Sequence, residues 1–121
     1  MYLIKLPMPP TVNNYYGHNG RIRFIRKEGT AYRKEVCKIV AEKGWDFQAN
    51  VKLKVMVVLN FGRAGTNDLD NRMKALLDAC THAKVWEDDS LIDDLHILRG
   101  PEITERGVML QVQAVEDVED Y

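Results

Sequence analysis

The sequence predicts an α+β protein: a small mixed β-sheet with two main helices packed on it, in one domain spanning residues 1–121. Three observations point there. Apolar residues alternate with polar ones in short segments near both ends and in the middle of the chain. Two longer segments between them carry apolar residues at helical spacing. The resulting order, β, β, α, β, α, β, β, suits helices laid on a sheet, and 121 residues are enough for one core but few appendages.

"YLIKL" (2–6) reads as the first strand, and "PMPPTVNNYYGHNG" (7–20) as a loop dense in Pro, Asn and Gly. "RIRFIR" (21–26) reads as an edge strand or a basic arm. A helix is predicted from Thr30, because Tyr32, Val36, Ile39 and Val40 share one face and Gly44 offers a stop. Arg33, Lys34, Lys38 and Glu42 lie on its opposite face. "VKLKVMVVLNF" (51–61) is the clearest strand: Val51, Leu53, Val55, Val57 and Leu59 share one side. Lys52 and Lys54 mark its other side as exposed at first, and Met56 and Val58 mark it as covered later, which suits a central position. "GRAGTN" is a connector. The second helix starts near Leu69 and buries Leu69, Met73, Leu76, Leu77 and Cys80. Strands over 91–99 and 108–115 flank a turn at Gly100–Pro101, and residues 116–121 form a flexible acidic tail.

The net charge of −1 conceals an asymmetry. Residues 1–63 carry 12 Lys/Arg against 4 Asp/Glu, and residues 64–121 carry 5 against 14, a net +8 and −9. Such a split suits a basic face for phosphates and an acidic pocket for cations. The apolar stretches are strand-sized and too short to span a bilayer. The N-terminal apolar run is cut by Lys5 and Pro7, without signal-peptide anatomy. Cys37 and Cys80 lack a CxxC spacing and read as buried free thiols in a reducing cytoplasm.

The carboxylates are the informative feature. Asp68 and Asp70 stand at the predicted start of the second helix, and Asp88 and Asp89 just before a strand. A helix cap explains one aspartate of the first pair, and a turn explains one of the second. If the clusters meet in space, like charges at short range need a cation, and oxygen-only ligands suit Mg²⁺ or Mn²⁺. Lys74 lies one helical turn after Asp70. Alone, that spacing gives a surface ion pair; beside a metal, the ammonium instead meets a phosphate or the attacking water. Carboxylates, a divalent cation and a lysine are the parts of a phosphodiesterase. "DLDNRM" lacks the glycine and third acidic position of an EF-hand. His18, His82 and His96 lack zinc-site companions, and Ser90, the only serine, has no GxSxG context.

"DLDNRMKALLDAC" followed by "VWEDD", after an opening "LPMPPTVNNYY", resembles the signature of the RusA-type Holliday junction resolvases, in matching order over about residues 2–115. The resemblance implies a homodimeric, Mg²⁺-dependent endonuclease, with Mn²⁺ able to substitute, that nicks four-way DNA junctions symmetrically in recombination and repair. It assigns metal-binding catalytic roles to Asp68, Asp70 and Asp89, a catalytic electropositive role to Lys74, and an auxiliary metal role to Asp88. Asn71 is implied to support the ligands or touch DNA; Asp93 and Asp94 are unassigned. One departure stands out: where the family often has an arginine run, "GRAGTN" offers Arg63 alone. Arg21, Arg23, Arg26 and Lys27 are then expected to supply phosphate contacts. The rival reading is a non-catalytic DNA-binding or assembly protein that retains the fold.

Overall fold

The computed structural model describes residues 2–44, 51–62, 68–101 and 105–115. Arg63, most of the predicted connector and the acidic tail lie outside the described residues. The elements are β1 (Tyr2–Leu6), α1 (Val12–Tyr15), β2 (Tyr16–Asn19), β3 (Ile22–Ile25), α2 (Lys27–Lys43), β4 (Leu53–Asn60), α3 (Asp70–His82), β5 (Ile92–Arg99) and β6 (Gly107–Ala114). A single 3-10 turn, Asp89–Leu91, precedes β5.

The main sheet has the order β1-β6-β4-β5. β6 pairs antiparallel with both β1 and β4, whereas β5 runs parallel to β4. A parallel neighbour requires a crossover, and α3 lies within it. The sheet is therefore mixed, as expected, and β4 is internal. Its inward side is sealed: Leu53, Val55, Val57 and Leu59 are at most 1% exposed. Its other side is only half-covered from Lys54 to Asn60, so Met56 and Val58 are not buried as the sequence suggested. The inward residues meet Ile4 and Leu6 of β1, Val108, Leu110 and Val112 of β6, Tyr32, Val36 and Val40 of α2, and Met73, Leu76, Ala79 and Cys80 of α3 in one core. Leu69 and Leu77, predicted as buried, are half-buried and pack against this core.

Four further expectations need correction. Residues 7–20 are not all loop, because α1 and β2 occupy their second half. The reason is burial: Tyr15 is fully buried and Tyr16 nearly so, and two adjacent buried aromatics fix backbone that Pro and Asn content suggests is irregular. β3 joins neither edge of the main sheet but pairs with β2 as a separate ribbon, in the register Tyr16↔Ile25 to Asn19↔Ile22. The two-residue turn between them, Gly20-Arg21, opens with Gly20 at φ 65°, the first central position, where a type II′ hairpin turn takes glycine. α2 begins at Lys27, one turn before Thr30, and ends as predicted at Gly44 in the left-handed conformation. Cys80 is buried, whereas Cys37 is only partly so.

Candidate active site

α3 and the segment after it place the acidic residues. The helix begins at Asp70, with Leu69 at the cap position and no side-chain capping bond. Asp68 therefore does not cap α3, and Asp70 sits exposed in its first turn, where a carboxylate complements the helix dipole. Lys74 follows one turn later, exposed. At the other end of α3, Trp86 is 2% exposed and donates from Nε1 to Thr81 Oγ1 at 2.7 Å. The Val85 amide donates to the Cys80 carbonyl at 3.0 Å. This anchor turns the chain back along the helix. The aspartates two and three residues beyond Trp86 are thus positioned by a buried indole.

Asp88 and Asp89 lie within hydrogen-bonding reach of each other. The Ser90 amide donates to Asp88 Oδ1 at 3.3 Å, and together with Asp89 it holds the Asp88 carboxyl below the usual carboxylate range. Asp89 is raised, by local burial first and then by its Asp88 partner; the Asp78 charge pushes the same way and Lys74 opposes it. The pair thus has a position where either a proton or a cation relieves repulsion.

A cavity of about 600 Å³ brings the site's parts together. Lys74, Leu77 and Asp78 of α3 form one side, Asp89 stands at the 3-10 turn, and Tyr16, Arg23, Phe24 and Ile25 of the ribbon form the other. Of the predicted catalytic residues, Lys74 and Asp89 line this cavity; Asp68, Asp70 and Asp88 do not. Among the described residues, no three His, Cys, Asp or Glu side chains are grouped closely enough to hold a metal ion. The donors are nevertheless of the right kind. Mg²⁺ keeps several waters and needs only one or two carboxylates besides substrate oxygens. The Asp88–Asp89 pair fits that demand, with Asp70 and Asp68 at the head of the same helix that carries Lys74.

Several cavity residues were invisible in the sequence. Asp78 and Arg33, which periodicity places on solvent-facing sides of two helices, form a half-buried ion pair joining α2 to α3. Arg33 Nη2 lies 2.6 Å from Asp78 Oδ2, Arg33 Nε donates to the Tyr15 hydroxyl at 2.7 Å, and that hydroxyl donates to Asp78 Oδ2. Burial alone would raise the Asp78 carboxyl, but these bonds outweigh it and hold the group below its ordinary value. Tyr16 lies beside this clamp, with the Arg23 guanidinium 3.6 Å and Lys74 Nζ 5.8 Å from its ring centroid. The partners come from elements far apart in sequence, so helical spacing carries no trace of them.

Of the predicted DNA-contacting residues, Arg21 is exposed in the ribbon turn and Arg23 lines the cavity. Arg26 caps α2 and Lys27 opens it, both exposed. Asn71 is half-buried in the first turn of α3, and Arg63 lies outside the described residues.

Two carboxylates, Asp78 and Asp89, the Lys74 ammonium and the arginine-bearing ribbon thus meet around one cavity. The family model described as endodeoxyribonuclease RusA matches residues 7–113. A crossover junction endodeoxyribonuclease of Enterobacteria phage HK97 is 32% identical over 117 residues, covering 97% of this chain and 98% of the relative. Proteins of the same name from Escherichia coli O139:H28 and Shigella sonnei are each 36% identical over 106 residues, 88% of both chains. The chain belongs to the RusA endodeoxyribonuclease family.

Proposed function

We propose that this chain is a divalent-metal-dependent endonuclease that resolves four-way DNA junctions by paired symmetric nicks, acting as a homodimer in the cytoplasm. The observation that carries the reading is the shared cavity, about 600 Å³, which Lys74, Asp89 and Arg23 line together. Family membership supplies the reaction class, since the relatives are named crossover junction endodeoxyribonucleases. No described helix is long and apolar enough to cross a membrane.

Asp89 and Asp88, with Asp70 and Asp68, would hold the cation, Mg²⁺ or Mn²⁺. When bound, the cation polarises the phosphoryl oxygen and makes the attacking water more acidic. Lys74 places its ammonium beside the phosphate and offsets charge that develops there. Tyr16 offers its ring to both cations, Arg23 at 3.6 Å and Lys74 at 5.8 Å from its centroid. The Asp78–Arg33–Tyr15 clamp fixes α3 against α2 and α1, so Lys74 and the cavity wall keep their spacing. Arg26 and Lys27, exposed at the start of α2, offer further phosphate contacts.

The rival reading, a protein that binds DNA without cutting it, makes a different forecast about metals. A labelled junction should be nicked with Mg²⁺ or Mn²⁺ and scarcely with Ca²⁺, whose larger, looser coordination positions water and phosphate poorly. Undiminished nicking in excess EDTA would overturn the metal assignment; no nicking with any divalent cation, despite tight binding, would favour the rival.

A further inference from the structure

The β2–β3 ribbon presents an aromatic side chain that phosphate contact alone does not use. Phe24 is 45% exposed, and its neighbour on the ribbon, Ile22, is 67% exposed. Phe24 pairs directly with Gly17, and a Cβ on Gly17 would sit 2.5 Å from Phe24 Cζ. The outer end of the ring therefore rests against the ribbon backbone, where only glycine leaves room. It is a braced aromatic surface with substantial exposure. Its neighbour Arg23 is also braced, stacked 3.6 Å from the Tyr16 ring centroid. Both residues line the cavity that holds Lys74 and Asp89.

We propose that Phe24 and Arg23 form a nucleobase subsite, in which Phe24 stacks on a base beside the scissile phosphate and Arg23 contacts the adjoining backbone. This rests on the reading of the chain as a junction-cutting endonuclease. The chemistry selects a nucleotide over an apolar protein partner: Arg23 and Lys74 line the same cavity as the ring, and a hydrophobic partner filling it would desolvate both cations without pairing them. Every base has a π-face, and its phosphates satisfy the cations. The subsite also gives a physical basis for branch selectivity. A base at a branch point has already lost a stacking neighbour, whereas one inside a duplex must first be unstacked at a cost.

The test is a coupling measurement between the ring and the base. Binding of the full chain is measured in EDTA, to junctions that are intact or carry one abasic site at each position flanking the cut. The wild-type protein should lose affinity, on the order of 5- to 100-fold, at one abasic position. Phe24→Ala should show a similar loss on the intact junction and no further loss at that position; Phe24→Tyr should restore the sensitivity. Affinity for unbranched duplex should barely change, and the melting temperature of Phe24→Ala should match wild type. Phe24→Ala binding the intact junction as tightly as wild type, or keeping full sensitivity to the abasic site, overturns the subsite. So does a shift in the molecular mass of the free protein with no change in DNA coupling, which would assign Phe24 to an interface between copies. A wild-type protein that neither prefers nor nicks junctions removes the underlying reading and the subsite with it.

Discussion

If Asp89 holds the cation as proposed, stability and activity pull in opposite directions at this residue. Its carboxyl is raised by burial and by Asp88, so the folded protein holds that proton more tightly than the unfolded chain. The ionised form therefore costs stability above its folded pKa, and the cost fades as pH falls. Asp89→Asn removes the charge and keeps an amide able to donate to Asp88. The metal-free variant is expected to melt at the same temperature as wild type or higher, by differential scanning calorimetry at pH 7. Its turnover should fall on the order of 10²-fold or more, because cation-centred charge stabilisation contributes several kcal/mol. Near-normal nicking with a lowered melting point would make Asp89 a turn residue instead. The sequence exposed this residue because two adjacent aspartates exceed what one turn needs. Asp78 had no such surplus: one carboxylate on a helix looks like solvated surface until its partner on another helix is seen.

The clamp between α2 and α3 is where pH acts on the fold. Asp78 is opposed by its own burial, yet Tyr15 and Arg33 hold its carboxyl below the ordinary value. The stability it contributes is present above the unfolded carboxylate range, roughly pH 4, and is lost as pH falls through the lower folded value. Asp78→Asn should cost about 1–2 kcal/mol at pH 7, since a charge-assisted bond is lost and Arg33 keeps only partial pairing. The difference from wild type should shrink toward pH 3 in urea titrations; a constant difference across that range would place the effect in packing. At this scale the sequence was legible where one face is apolar along a whole element, as in β4, α2 and α3. It was opaque in residues 7–20, because a four-residue helix and a four-residue strand have no room for a period. Gly20, which opens the hairpin turn, lay in that stretch all the same.

The charge split between the two halves of the chain becomes spatial in the folded molecule. Arg21, Arg23, Arg26 and Lys27 lie on and just after the ribbon, and Arg23 lines the cavity that also holds Asp78 and Asp89. Binding through such cations releases counterions, so affinity for any DNA should fall steeply between about 50 and 200 mM salt. If two copies engage a branched substrate together, four-way junctions should outcompete unbranched duplex of equal length at each salt concentration; equal affinities at matched salt would leave a general DNA binder. The fold class was readable from periodicity and the reaction from the compact acidic signature, and Arg23 was flagged as a phosphate contact; the pairing of β2 with β3 that makes the ribbon wall was not readable, because β2 and Tyr16 lie in a segment that composition assigns to loop. The most direct measurement is resolution itself: a junction labelled separately on each of its four strands, incubated with the protein and Mg²⁺. Nicks are expected at symmetric positions in one opposed pair of strands, with both cuts in the same complex. Intact strands, or scattered single nicks that appear equally in linear duplex, would contradict the proposed activity.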